Sequence, residues 1–427
     1  MEESCRQAET RFNNSVYSPL VVLWLMLLQR LQGAAPLEAV VVDLLHDLPD
    51  GFWPNPCKRV RDWHQSGKPV SGNTAAYNQA RQKLPLPVVE QSCDRIFGQL
   101  MERMAPNCPP GSRCAFLLDG SSLRLAHSPA VVRQFPPASN QHGESHWPVI
   151  RMLVAHDLQT GLAMRPHWGP MYGPDAVSEQ KLLETSIGRL PAGATVIGDS
   201  NFGVFSVAWT ATQQGHPVLL RLTLQRAGRL AGEALKDQTD CPIVWKPSRA
   251  ERKAHPELPP DACVKGRLIV RQVQPDSGAP FLLALFTTLP EPVKEIQELY
   301  GQRWNIETDL RTLKSRLRME QLSCATPEMA AKEIQMSIAA YNLVRAVICV
   351  AAQQSGLPPR DYSFTRAARI VESFAPKISS AASQQEAKQH FDRMMYFLQQ
   401  ARLPRRKRKP YSRALWGIRK QYPKRKT

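Results

Sequence analysis

Four polar residues sit among leucines in "YGQRWNIETDLRTLKSRL", residues 300 to 317: Tyr300, Arg303, Glu307 and Lys314. Their spacing is that of one helix. At about 100° per residue, with Tyr300 at zero, Arg303 falls at about 300°, Glu307 at about 340° and Lys314 at about 320°, an arc of about 60°. Leu299, Ile306, Leu310, Leu313 and Leu317 fall between about 220° and about 280°, the stripe a core-facing helix buries. The quartet therefore borders the buried stripe, and Asp309, at about 180°, lies on the stripe's far side. Glu307 is the acid placed to work in a cleft. A solvated face with an incidental ion pair would carry the same residues, so the rest of the chain decides.

Two more acids each close an apolar, strand-like run: "AFLLD" ends in Asp119 and "TVIGD" in Asp199. Open α/β sheets present ligand-binding residues at the carboxyl ends of their strands, although an Asp between strand and turn is also a common turn former. Three converging carboxylates repel one another unless a cation lies among them. Oxygen donors of this hardness suit Mg²⁺ or Mn²⁺. Two such ions, about 4 Å apart, activate a water or a 3′-hydroxyl and stabilise the leaving oxygen of an in-line phosphoryl transfer. The expected chemistry is therefore on phosphodiesters. Arg303 can grip a phosphate bidentately and Lys314 as a point charge, while Tyr300 can hydrogen-bond one. Trp304, at about 40° on the same helix, offers a plane for a displaced base.

The elements that must position these groups follow from periodicity. Residues 1 to 107 read as a helical domain, with helices through "SPLVVLWLMLLQRLQG", "LEAVVVDLLHDL" and "NTAAYNQARQKLPLPVVEQSCDRIFGQLMERM", the last broken at Pro85 and Pro87. Residues 57 to 83 hold six basic groups and one acid, so DNA contact or end recognition here would be local. From residue 108 to 223 strands and helices interleave, which predicts a mixed sheet in an α/β layer fold: "RCAFLLDGSSLRLA" as strand, turn, strand, "WPVIRMLVAHDL" as a third strand, "ATVIGDS" as a short buried one. Residues 224 to 290 read as an all-β insertion. Residues 291 to 355 resume with one long helix from Pro292 to Leu317 and a closing helix through "AAKEIQMSIAAYNLVRAVICVAAQQ"; residues 356 to 427 form a helical region and a basic tail.

Composition narrows the class. A chain of 427 residues, 43% hydrophobic and 22% charged, has room for roughly two or three globular domains. The longest apolar run, Leu20 to Leu28, is too short to span a bilayer, and no secretory leader is evident; a cytoplasmic protein without a membrane partner is expected. Nine scattered cysteines, with no CxxC pair and no histidine at zinc spacing from Cys108 or Cys114, predict reduced thiols. His142 and His146 fall in "SNQHGESHWP", which reads as a surface loop. Lysine and arginine exceed the acids by 55 − 37 = 18. Residues 401 to 427 hold twelve Lys or Arg and no acid, interleaved with Tyr411, Trp416 and Tyr422, a composition that suits a nucleic acid.

Taken together these residues resemble a known family. Tyr300, Arg303, Glu307 and Lys314 match Y-x2-R-x3-E-x6-K, the signature of the insertion-sequence-four family of bacterial DDE transposases. "LLDGSSLRLAHSP" is similar to that family's first-aspartate region, "VIGDSNFGVFSVAW" to its second, "LKSRLRMEQLSCATPEMAAKEIQMSIAAYNLVR" to the segment after its glutamate and "NTAAYNQARQKLP" to its N-terminal region, so the likeness spans most of residues 10 to 355. It implies a ribonuclease-H-like catalytic core interrupted by a β-rich insertion. It also implies Asp119, Asp199 and Glu307 as catalytic, metal-binding residues for Mg²⁺ or Mn²⁺, two ions per site, with Tyr300, Arg303 and Lys314 as DNA-positioning groups. The implied reaction is hydrolysis at an element's ends followed by 3′-hydroxyl attack on target DNA, with two protomers holding paired terminal inverted repeats; a hairpin intermediate is one route. Many relatives have a basic residue after the second aspartate, where this chain has Ser200. Two other readings use the same residues: a structure-selective nuclease, which needs the acids but no strand transfer, and a DNA-binding repressor, which needs only the basic surfaces.

Overall fold

The computed structural model describes residues 15–46, 56–68, 70–104, 114–141, 143–275 and 279–403. The tail from residue 404 onward, with Tyr411, Trp416 and Tyr422, lies outside the described residues, as do Cys5, Cys108 and His142. Seven cysteines are described, and no disulfide joins any two of them. The chain opens on helices α1 (Pro19–Leu31), α2 (Leu37–His46), α3 (Lys58–Ser66), α4 (Thr74–Lys83) and α5 (Leu86–Met104). Their starts are written locally. Ser18 caps α1 by accepting from the Val21 N–H at 3.4 Å, with Pro19 next, where an N–H would have no helical partner. Asn73 caps α4 by accepting from the Ala75 N–H at 2.8 Å.

From residue 115 strands alternate with helices: β1 (Ala115–Leu125), α6 (Pro129–Gln134), β2 (Pro137–Asn140), β3 (Gly143–Asp157), β4 (His167–Pro170), α7 (Glu179–Ser186), β5 (Thr195–Gly198), α8 (Phe205–Gln213), β6 (Val218–Leu222), α9 (Leu224–Ala231), β7 (Thr239–Trp245), α10 (Arg249–Ala254), β8 (Val264–Val273), β9 (Phe281–Thr287), α11 (Val293–Gly301), α12 (Trp304–Ser315), β10 (Gln321–Leu322), α13 (Pro327–Ser355), α14 (Phe364–Ser379) and α15 (Gln384–Gln399). The fold is mixed α/β, as expected. One sheet runs β2-β3-β1-β5-β6-β9-β8-β7, with β4 beside β3 and β10 beside β1. β5 is parallel to β1 and β6, and β10 to β1; the other pairs are antiparallel. β5 is buried throughout, as a central parallel strand requires. Alternation sorts the two faces: Leu117, Ile197 and Leu219 join the core shared with the N-terminal helices and α13, while Phe116, Val196 and Leu220 join the core under α7 and α8.

Four expectations change. "RCAFLLDGSSLRLA" is one strand, because β1 pairs with β3 unbroken from Phe116↔Asp157 to Arg124↔Val149, and that ladder overrides the turn preference of Gly120-Ser121-Ser122. Within "SNQHGESHWP" Asn140 pairs with Gly143 and His146 lies in β3 instead of a surface loop. Residues 224 to 290 are not all-β: α9 and α10 interrupt them, and β9 joins the main sheet beside β6. The single helix expected from Pro292 to Leu317 divides into α11 and α12. Gly301 loosens the backbone there, and the junction closes with tighter bonds, from the Arg303 N–H to Tyr300 O (3.0 Å), Asn305 N–H to Gln302 O (3.0 Å) and Ile306 N–H to Arg303 O (3.2 Å). Such a turn advances about 120° per residue, so angles counted from Tyr300 do not carry across it. Tyr300 and Arg303 are buried; Glu307 and Lys314 are half-buried.

The N-terminal helices are built into the core through α13, which packs against α1 and α5. Buried Glu333 accepts from Arg30 and, at 3.3 Å, from Arg81, and Lys332 Nζ donates to the Arg81 and Gln82 carbonyls at 3.2 and 3.0 Å. Among the described residues α13 is the one helix long and apolar enough to cross a membrane, but 83% of its most apolar window is buried inside the protein. It is a core helix.

α12 is anchored from its inner side by Asp309, which is fully buried. Arg345 of α13 and Arg360 both pair with its carboxylate, and His156 Nδ1 of β3 stands 3.6 Å away. Burial opposes ionisation of Asp309, yet the two guanidinium groups bring its carboxyl down to about 2. Asp309→Ala would strand two buried cations and should lower the unfolding free energy at neutral pH by about 3–5 kcal/mol in a denaturant titration. Because the folded carboxyl titrates below its unfolded value, that difference is full above pH about 4 and shrinks as the pH falls through about 2. A variant as stable as the parent would remove the clamp from the account.

Candidate active site

β1 and β5 run parallel in the register Ala115↔Thr195, Phe116↔Val196 and Leu117↔Ile197. Two residues further along each strand stand Asp119 and Asp199. β5 ends at Gly198 while β1 continues against β3, with Asp119 opposite Val154, so Asp119 lies within its strand and the sheet opens beside it. The two carboxylates are side by side where the central strand stops. Asp119 Oδ1 accepts from the Gly120 N–H at 2.8 Å. Asp199 Oδ1 accepts from the Asn201 N–H at 2.9 Å, and its carbonyl accepts from the Phe202 and Gly203 N–H groups at 3.1 and 3.0 Å. This tight loop needs glycine at 203, where a Cβ would lie 2.0 Å from the Arg221 carbonyl oxygen.

The electrostatics place both aspartates in one field. Burial pushes the Asp119 carboxyl up to about 6; the Asp199 and Glu179 charges add to this, while the Gly120 N–H and the Arg303 guanidinium oppose it. Arg303, at the α11–α12 junction, is 7% exposed and donates Nη2 to Glu307 Oε1 at 3.0 Å. Its guanidinium lies 5.2 Å from the ring centroid of Trp304, which is 65% exposed. Tyr300 is likewise buried, with its hydroxyl beside the Arg303 guanidinium. Burial raises its pKa against the nearby Arg303 and Arg221 cations. Lys314 lies two helical turns beyond Glu307 on the same face of α12, about 10 Å along the axis.

The structure therefore gathers Asp119, Asp199, Tyr300 and Arg303, and brings Glu307 in through Arg303. It does not close the three acids into one cluster: among the described residues no group of three or more His, Cys, Asp or Glu is close enough to hold a metal ion. Asp119 and Asp199 alone fit a hard divalent cation, since Mg²⁺ is commonly held by one or two carboxylates with water completing the shell.

One acid near the site had no distinguishing mark in the sequence. Glu179, the first residue of α7, reads as an ordinary acid at a helix start. In the fold it is half-buried beside Gly120, Asn201 and Arg151; burial raises its pKa, the Asn201 amide and Arg151 oppose the rise, and the Asp199 charge adds to it. The grouping is open to direct titration. In the metal-free protein the Asp119 carboxyl, followed by carbon-13 NMR, should titrate near pH 6; Asp199→Asn should lower that midpoint by removing a negative neighbour, and Arg303→Ala should raise it. Identical midpoints in all three proteins would show that these side chains do not share a site.

The family model for the transposase DDE domain matches residues 110–343, from the approach to β1 to the middle of α13. The chain is 24% identical over 306 residues to the transposase InsG for insertion sequence element IS4 of Escherichia coli strain K12; the match covers 70% of this chain and 66% of that protein, just under two thirds of its length. It also aligns with the cryo-EM structure of a piggyBac transposase synaptic complex with hairpin DNA, with a TM-score of 0.41, 11% identity, and coverage of 94% of this chain and 88% of that one. The family match takes in more than half of the chain, including Asp119, Asp199, Tyr300, Arg303, Glu307 and Lys314, and the chain belongs to the family of DDE-domain transposases.

Proposed function

We propose that the protein is a transposase that cleaves DNA at the ends of an insertion sequence and joins those ends to target DNA by metal-dependent phosphoryl transfer, a cut-and-paste reaction. The observation that carries this reading is the matched register of Asp119 and Asp199 at the end of β5, with Arg303 and Glu307 beside them, inside the family segment. The name of the relative, a transposase for an insertion sequence element, agrees with it. The strand order β4-β3-β1-β5-β6, three antiparallel strands followed by two parallel to β1, supports a ribonuclease-H-like core, with β7 to β9 as the insertion that extends it.

On this reading Asp119 and Asp199, joined by Glu307, hold Mg²⁺ or Mn²⁺, and such ions, two per site, supply activation of a water or 3′-hydroxyl and neutralisation of the leaving oxygen. The chain's own groups do the rest. Arg303 exchanges Glu307 for a phosphate beside the scissile bond, which frees the glutamate to complete the acid set. The Tyr300 hydroxyl, beside Arg303, hydrogen-bonds the same phosphate, Lys314 meets the backbone further along, and exposed Trp304 stacks a displaced base. The basic stretch from 57 to 83, apart from Arg81, which is buried against Glu333, contacts the terminal repeat, the tail beyond residue 403 adds nonspecific affinity, and two protomers pair the ends.

The test is incubation of the full chain with labelled end DNA and Mg²⁺. Joined products support transposition; nicks alone point to a nuclease; retention without either points to a repressor. Asp119→Asn, Asp199→Asn and Glu307→Gln should each abolish cleavage and joining while end binding persists. Loss of binding to the same degree would make the acids structural. Arg303→Ala and Lys314→Ala should each weaken end binding and reduce the salt dependence by about one phosphate contact. An unchanged slope would mean that neither side chain touches phosphate.

A further inference from the structure

Glu179 lies against β1 one residue beyond Asp119 and against the loop that follows β5. Its carboxylate stands where a side chain at position 120 would be: a Cβ on Gly120 would lie 1.9 Å from Glu179 Oε1. The other oxygen, Oε2, accepts from Asn201 Nδ2. The same asparagine uses its backbone N–H to hold Asp199 Oδ1 at 2.9 Å. Gln180 reinforces the link by donating Nε2 to the Asn201 carbonyl at 2.7 Å and to Asn201 Oδ1 at 2.9 Å. Ser178 caps the helix that presents both residues, accepting from the Lys181 N–H at 3.1 Å. An acid placed only to complement a helix dipole would need neither a glycine opposite it nor a partner in the Asp199 loop.

We propose that Glu179 is a positioning residue: wedged between Gly120 and Asn201, it sets the separation of the Asp119 and Asp199 carboxylates and adds a negative charge beside them, and so strengthens divalent-cation binding at that pair. The inference rests on the reading of Asp119 and Asp199 as cation-holding groups. Glu179 itself remains tied to Asn201, outside the reacting atoms. A partner that orients a metal-holding carboxylate commonly contributes on the order of tenfold or more to metal affinity.

The experiment is titration of the full-length protein with Mn²⁺ alone, without DNA, followed by calorimetry, on the parent, Glu179→Gln, Asn201→Ala, Gly120→Ala and Asp119→Asn. Glu179→Gln keeps the shape and an acceptor but removes the charge, and should weaken Mn²⁺ binding on the order of tenfold. Asn201→Ala releases the carboxylate and Gly120→Ala displaces it, and each should weaken binding in the same direction. Asp119→Asn should lose the site. If Asp119→Asn loses Mn²⁺ while Glu179→Gln and Asn201→Ala both bind it like the parent, the role of Glu179 is overturned and the aspartate reading stands. If Asp119→Asn binds Mn²⁺ like the parent, the aspartate reading fails and the inference falls with it. A lower melting temperature for Glu179→Gln with unaltered Mn²⁺ affinity in the folded range would assign Glu179 to stability alone and overturn the proposal.

Discussion

The parallel pairing of β1 with β5 is the constraint on which the rest of the structure depends. It sets two carboxylates from distant parts of the chain at the same height, side by side and half-buried, where the charge of Asp199 disfavours the ionisation of Asp119. Everything around them answers that repulsion. Each aspartate takes a backbone N–H, Asp119 from Gly120 and Asp199 from Asn201. Arg303 supplies the nearby positive charge, buried deeply enough that its field is little screened.

A guanidinium in that place has consequences that an ammonium would not. Its planar fork can serve Glu307 and still present further N–H groups, and its face can lie against Trp304. The tight turn between α11 and α12 makes this possible, since it carries Tyr300 and Arg303 inward while leaving Glu307 and Lys314 only half-covered. The groups that neutralise the acids are therefore of the kind that recognises phosphate. Charge compensation within the protein and recognition of a polyanion draw on the same side chains.

Holding that arrangement requires a rigid back wall. Asp309 ties α12 to α13 through Arg345 and to β3 through the neighbouring His156, and α13 in turn ties the N-terminal helices into the same core through Lys332 and Glu333. Buried ion pairs of this kind add less stability than their Coulomb energy suggests, but they enforce one arrangement of the elements, because any other leaves a charge stranded. The candidate site and the N-terminal helices are consequently not independent bodies joined by a linker; one hydrophobic core runs through both.

What the sequence by itself determined is local. The apolar runs of β1, β5 and β6, the Ser18 and Asn73 caps, and the length of α13 follow from residue type and period over a few neighbours. So does the signature that singled out Tyr300, Arg303, Glu307 and Lys314. The tertiary structure decided what depends on partners far along the chain. Gly120-Ser121-Ser122 stays extended because β3 lies beside it, the 224–290 strands join the main sheet because β9 finds β6, and Arg303 is buried at a junction between two helices instead of lying on the face of one. Asp309, which helix periodicity sets on the far side of the apolar stripe, is fully buried, and Glu179, an ordinary acid at a helix start, stands against Gly120. A carboxylate's role is set by its field and its desolvation, and both are properties of what the fold brings near it, not of the residues next to it in the chain.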